Sequence, residues 1–149
     1  MRDVSHPQLS PDGAWVAFVV SRSDTVKDRH DRDIWMTSWD GATTVRVTSS
    51  KESETSPKWS PDGRYLSFLS GRETEDADDG DQLWLLNRAG GDAERVTAIK
   101  SGISDYAWSP DRKPLGFVIA DCHRVTLVPG DYSTATTPTP SATYRLHFT

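Results

Sequence analysis

The sequence predicts an all-β fold of repeated four-stranded antiparallel units, on three observations. The tetrapeptide Ser-Pro-Asp-Gly stands at Ser10–Gly13 and at Ser60–Gly63, and returns as Ser109-Pro110-Asp111-Arg112, at intervals of 50 and 49 residues. Aligning these turns brings Leu9, Trp59 and Trp108 into register, then Val16, Leu66 and Leu115, then Phe18, Phe68 and Phe117. No segment places its apolar residues at a helical period.

Each element of the unit follows from its residues. Pro sets φ for the first corner of a turn, Asp bonds back to the backbone, and Gly accepts positive φ, so Ser-Pro-Asp-Gly suits a type I turn ending in a left-handed residue. After the turn, Ala14 to Val20 and Arg64 to Ser70 are rich in β-branched and aromatic residues. Val16 with Phe18, and Leu66 with Phe68, fall on one face because side chains alternate along a strand. The intervening Ala17 and Ser67 are small, which suits a second packed face. A variable loop then leads to a third strand, Asp33-Ile34-Trp35-Met36 or Gln82-Leu83-Trp84-Leu85-Leu86. A turn at Asp40-Gly41 or Gly90-Gly91 leads to the fourth, Val45-Arg46-Val47-Thr48 or Glu94-Arg95-Val96-Thr97.

Four short strands repeated every 40 to 50 residues mark the blade of a WD40-like β-propeller, whose sheets bury their faces against one another around an axis. The expected fold is therefore a partial β-propeller of about two and a half blades. Residues 1–49 form the first blade, 50–99 the second and 100–128 part of a third. The matched tryptophans are expected to form the core between blades. The third copy departs from the pattern: Arg112 replaces the turn glycine, and Pro114 enters its second strand. An Arg112→Gly substitution should therefore stabilise that hairpin. Residues 129–149, rich in Thr, Ser and Pro, are expected to be a tail that is either a linker or disordered end or foreign to the repeat, although Val125–Val128 has the composition of a strand. A truncated or frameshifted gene would account for this break.

Composition narrows the function. With 35% hydrophobic and 26% charged residues, the 149-residue chain fits a globular class, and no apolar run is long enough for a membrane span. A net charge of -5 without a Lys/Arg stripe argues against nucleic-acid binding. The N-terminus shows no signal-peptide pattern, and a cytoplasmic location is expected.

The string Pro57-x-Trp59-Ser60-Pro61-Asp62-Gly63-Arg64-x-Leu66-x-Phe68, followed by Leu83-Trp84, Gly90-Gly91 and Arg95-Val96-Thr97, resembles the propeller repeats of the prolyl oligopeptidase family, especially acylaminoacyl-peptidase-like bacterial members. TolB-like propellers share much of the pattern. The opening Val4–Phe18 resembles the first blade of those peptidases and Gly102–Ser109 their third, so the resemblance runs from residue 4 to about 120. It implies a parent serine peptidase in which the propeller gates an α/β-hydrolase domain, admitting peptides and excluding folded proteins. The implied partners are that hydrolase domain and, through it, peptide substrates. The alternatives are a TolB-like protein-binding module and a stand-alone repeat protein that self-associates through open blade edges.

The residues support no catalytic, cofactor or metal site. A nucleophile elbow needs Gly-x-Ser-x-Gly between a strand and a helix. Gly102-Ile103-Ser104-Asp105-Tyr106 lacks the second glycine and precedes a strand. His6, His30, His123 and His147 are scattered, and Cys122 has only His123 beside it, short of the four ligands of a structural zinc site. The acidic run Glu73–Asp81 puts Ala77 at a ligand position of an EF-hand register, so a solvated loop is expected there, with adventitious calcium binding as the alternative. The charged run Lys27–Asp33 occupies the corresponding loop of the first copy.

Overall fold

A computed structural model of the chain describes residues 2–24, 29–72, 80–99, 102–108, 114–119, 125–127, 132–133 and 142–147. Among them all helical or strand structure is β. The first sheet is an antiparallel meander of β1 (Arg2–Leu9), β2 (Trp15–Asp24), β3 (Arg29–Ser38) and β4 (Thr44–Arg46). The second repeats it with β5 (Glu54–Trp59), β6 (Tyr65–Ser70), β7 (Gln82–Asn87) and β8 (Glu94–Arg95). Among the described residues the sheets do not close into a ring. This is the partial propeller expected from the repeat.

The repeated turn has the expected chemistry. Gly13 and Gly63 adopt φ of 69° and 70°, and their N–H groups donate to the carbonyls of Ser10 and Ser60 at 2.8 and 2.9 Å. Asp12 Oδ1 accepts from Ala14 N and Asp62 Oδ1 from Arg64 N, each at 3.1 Å. A second turn of the same kind lies between β3 and β4. There Ser38-Trp39-Asp40-Gly41 repeats the bonds of Ser-Pro-Asp-Gly, with Gly41 N donating to Ser38 O and Asp40 Oδ1 accepting from Ala42 N. Proline is dispensable because the Asp carboxylate and Gly carry the geometry.

Another repeated device sits inside the first strand of each unit. The ladder slips between Ser5 and Gln8, and again between Thr55 and Lys58. His6 and Ser56, each followed by proline, take φ of 52° and 53° there. A bulge suits proline, which has no N–H to give to the ladder.

In two places the chain is more ordered into strands than its composition suggests. The hairpin of β2 and β3 extends to Asp24↔Arg29, so residues 29–33 of the expected charged loop belong to a strand. The register sets Arg22 opposite Asp31 and Asp24 opposite Arg29, and opposite charges across a ladder favour pairing. The expected disordered tail likewise contributes β13 (Tyr132–Ser133) and β14 (Ala142–His147) to a third sheet. That sheet also holds β10 (Asp105–Trp108) and β11 (Pro114–Ile119), and β14 pairs with β11 from Ala142↔Ile119 to His147↔Pro114. Residues 142–147, Ala-Thr-Tyr-Arg-Leu-His, alternate apolar with polar types, a strand signal that the flanking Thr/Ser/Pro composition obscured. The segment β12 (Val125–Leu127) joins β9 (Thr97–Ile99) outside that sheet. Arg112, Cys122, His123 and residues 73–79 lie outside the described residues.

The core lies between sheets. Across the ladder Ala17 pairs with Met36 and Val19 with Ile34, while Phe18 pairs with Trp35, giving the first sheet two distinct faces. The face of Trp15, Ala17, Ile34 and Met36 packs on the Trp59, Leu66, Phe68 and Trp84 face of the second sheet. We call these the trailing and leading faces of their blades. The trailing face of the second sheet, with Ser67, Leu69, Leu83 and Leu85, is also buried.

Candidate functional site

The built surfaces of this chain are its blade joints. In the first, Trp59 Nε1 donates to the Gln8 carbonyl at 3.0 Å. In the second, Trp108 Nε1 donates to Ser67 Oγ at 2.8 Å, and Ser67 Oγ donates to the Lys58 carbonyl at 2.8 Å. Gln8 pairs with Ala17 and Lys58 with Ser67, so the two joints use equivalent carbonyls. Replacing Ala17 by Ser67 interposes one hydroxyl between indole and backbone. A buried indole N–H needs an acceptor, and the inner strand of the preceding blade supplies it.

Aromatic and charged side chains tie the inner strands further. The Tyr106 hydroxyl donates to the Ser56 carbonyl at 2.5 Å, within the second bulge, and burial pushes its pKa well above the usual tyrosine value. Lys58 Nζ lies 4.6 Å from the Tyr106 ring centroid and donates to Asp105 Oδ1 at 3.0 Å and to the Tyr106 carbonyl. That hydrogen bond from Lys58 lowers the Asp105 pKa. Arg88 pairs with Asp12 at 3.6 Å and lies 5.2 Å from the Trp59 ring. It borders a cavity of about 440 Å³ lined also by Trp15, Met36, Trp59 and Leu66.

The repeated Arg-Val-Thr explains itself at the outer strands. Thr48 Oγ1 accepts from Ile34 N, and Thr97 Oγ1 from Leu83 N, both at 2.9 Å, so each threonine holds the third strand of its own blade. Thr97 then donates to Gln82 Oε1 at 3.0 Å. Thr48 instead donates to Glu54 Oε2 of the next blade at 2.7 Å, and Ser50 Oγ donates to Glu54 Oε1. Glu54 is fully buried beside a polar cavity of about 340 Å³, which Thr48, Ser50 and Arg72 help to line.

Burial raises the Glu54 pKa above 4.5, against the opposing hydrogen bonds of Ser50 and Thr48. The folded state therefore holds this proton more tightly than the unfolded chain. The stability so gained is present below pH 4.5 and lost as pH rises through the raised value. Glu54→Gln cannot ionise. Its melting temperature relative to the native chain should rise between acid and neutral pH, as followed by thermal melts. A relative fall toward neutral pH would show that the fold needs the carboxylate.

Among the described residues, the serines of the repeated turns are bonded within those turns and to no histidine. Ser10 Oγ donates to Asp12 Oδ1 at 2.5 Å and accepts from Trp15 N at 2.9 Å, while Ser60 makes the same pair of bonds to Asp62 and Tyr65. These hydroxyls are committed to their turns, and their hydrogen bonds are the leading cause that lowers the Asp12 and Asp62 pKa values. His6 is exposed, with Nδ1 3.1 Å from Ser5 Oγ. Ser104 lies at the surface just ahead of β10. Among the described residues no group of three or more His, Cys, Asp or Glu could hold a metal ion, and no helix is long and apolar enough to cross a membrane. Sequence reasoning missed the Glu54 cluster and, although it placed a turn at Asp40-Gly41, the likeness of that turn to Ser-Pro-Asp-Gly. The second was legible as Ser-x-Asp-Gly, whereas Glu54 has no counterpart in the other copies.

The sequence matches the family model PD40, TolB beta propeller domain, over residues 2–144. The chain belongs to this propeller family. The match reaches into the segment expected to be foreign to the repeat, in keeping with the place of β14 in the third sheet. Over 74 residues, half of this chain, it is 39% identical to the uncharacterized peptidase YuxL of Bacillus subtilis, of which the matched segment is 11%. Solved structures share the fold, among them the following two. The acylaminoacyl peptidase of Pyrococcus horikoshii matches with a TM-score of 0.65 at 19% identity, over 80% of this chain and 18% of that one. A putative TolB from Agrobacterium tumefaciens matches with a TM-score of 0.62 at 22% identity, over 99% of this chain and 59% of that one. The PD40 chain described here is thus a propeller fragment resembling the N-terminal propeller of prolyl-oligopeptidase-family peptidases, and it spans a small part of those relatives.

Proposed function

We propose that this chain is the opening part of the substrate-gating propeller of a prolyl-oligopeptidase-family serine peptidase, non-catalytic by itself. The observation that carries the reading is the 39% identity to a peptidase along half of the chain. In this reading the missing blades complete the ring, and a hydrolase domain beneath it supplies the serine, histidine and oxyanion donors of acyl transfer. The blades contribute a wall whose joints are tied by an indole N–H, directly to a carbonyl in the first and through the Ser67 hydroxyl in the second. A TolB-like protein-binding module is the second reading, favoured by a likeness that covers nearly the whole chain.

The purified chain is expected to hydrolyse neither an aminoacyl-nitroanilide nor a short ester above background, and to resist labelling by a phosphonylating serine probe. Joined in frame to the remaining blades and peptidase domain of a relative, in place of that relative's own first blades, it should restore both hydrolysis and labelling. Turnover by the chain alone, with one of its serines labelled, would overturn the reading. A soluble, folded chimera without activity would favour the binding module.

A further inference from the structure

The joint between the first two blades is not filled to its outer edge. Blades set around an axis diverge with distance from it. Here the outermost strands are short, three residues in β4 and two in β8, and the turn ahead of β8 brings Gly90 and Gly91, where an added Cβ would meet nothing within 4 Å. Between the sheets this leaves the cavity of about 440 Å³, a size typical of small-ligand sites. On its rim Val45 is 36% exposed and the Arg46 side chain 37%, so it opens to solvent. Trp15 and Met36 line it from the first blade, and Trp59, Leu66 and Leu86 from the second. Its charged lining residues, among those described, are Arg46 and Arg88, and none is acidic.

We propose that this cavity binds a small aromatic carboxylate, with the ring between the blade walls and the carboxylate on Arg88. Arg46 gives Nη2 to Asp33 Oδ1 at 2.6 Å, but the Arg88 guanidinium has no close acceptor. Its Nη1 lies 3.5 Å from the Gly63 carbonyl and 3.6 Å from Asp12 Oδ2, against about 2.7–2.9 Å for a charged hydrogen bond. Asp12 is held back from it, because its Oδ1 accepts from Ser10 Oγ and Ala14 N within the turn. The guanidinium rests over the Trp15 and Trp59 rings, 6.0 and 5.2 Å from their centroids, which fixes the cation beside the apolar walls. A ligand carboxylate can take two parallel N–H bonds from such a fork, while tryptophan and methionine favour an aromatic ring between them. A neutral apolar ligand would leave Arg88 without an acceptor, and a bare anion would leave the walls wet. The site needs only the joint between the first two blades, so it goes beyond the gating role and holds for a peptidase or a binding-module parent alike.

Isothermal titration calorimetry with 3-phenylpropionate, 3-phenylpropionamide and acetate tests it. The first should bind the purified chain saturably at a single site, and the other two at least about tenfold more weakly, for want of the charge or of the ring. Arg88→Gln should weaken 3-phenylpropionate about tenfold and remove the preference for it over the amide. Asp12→Asn keeps the oxygen that the turn uses but takes away the competing charge, and should tighten binding a few-fold, a gain that a damaged fold would not give. Circular dichroism checks that both variants keep their β-structure, and if Arg88→Gln does not fold, Asp12→Asn and the amide decide the matter. No saturable binding of 3-phenylpropionate would overturn the site, and so would equal binding of the amide or of acetate. An unchanged affinity in folded Arg88→Gln, or no tightening in Asp12→Asn, would overturn it as well. None of these results bears on the peptidase reading, which rests on the chimera.

Discussion

Trp84→Ala is expected to destabilise the chain by about 3–5 kcal/mol, enough to unfold much of a marginal domain at ordinary temperature. Trp84 is 2% exposed and belongs to the cluster that joins the two complete sheets, with Phe68 opposite it in the ladder. Its indole N–H donates to the Ser70 carbonyl at 3.3 Å, and the Arg72 guanidinium lies 3.9 Å from its ring centroid. The substitution removes a large apolar surface, leaves a cavity in a packed joint and strips Arg72 of its aromatic platform. Trp39→Ala is the control, because Trp39 is 71% exposed and should cost no more than about 0.5 kcal/mol. Urea denaturation followed by circular dichroism measures both. Equal effects would mean that the joint between the first two blades does not form in solution.

Gly102→Ala should loosen the third blade from the second, with a cost of about 2–4 kcal/mol. Gly102 adopts φ of 69°, and an added Cβ would stand 2.6 Å from the Gly80 carbonyl carbon and 2.8 Å from Asp81 N. Those atoms are backbone and are held in place, since Ile103 N donates to the Asp81 carbonyl at 2.7 Å. Strain and overlap therefore add. Gly41→Ala separates the two terms, because Gly41 has φ of 72° but nothing within 4 Å of an added Cβ. It should show only the conformational cost of about 1–2 kcal/mol. Hydrogen exchange at β10 reads the consequence directly, with protection lost in Gly102→Ala and kept in Gly41→Ala. If both variants lose the same amount, the close approach to Gly80 is absent in solution.

Much of the architecture was legible because it is local. Ser-Pro-Asp-Gly encodes its own turn through the φ of Pro, the carboxylate of Asp and the freedom of Gly, and the ladders confirm the strands on either side. Ala17 and Ser67 were legible as a second packed face because alternation assigns a face to every strand residue. What failed was composition used in place of pattern. The β2–β3 ladder runs on into the charged stretch, with opposite charges at facing register positions, and alternation hidden beside a Thr/Ser/Pro-rich stretch marks β14.

Determined by sequence alone were the period, the four-stranded unit and the family of repeat, all of which rest on residues within one blade. Tertiary structure decided what neighbours do to like residues. Phe18 and Phe68 occupy the same place in the repeat, yet one is partly open and the other sealed, because burial depends on the sheet that arrives on that face. The same holds for Trp59, whose N–H finds the Gln8 carbonyl 51 residues away, and for Glu54, whose carboxylate is enclosed by hydroxyls of the preceding connection. Hydrogen bonds and burial across a joint are set by distance in space, which a repeat pattern along the chain does not encode.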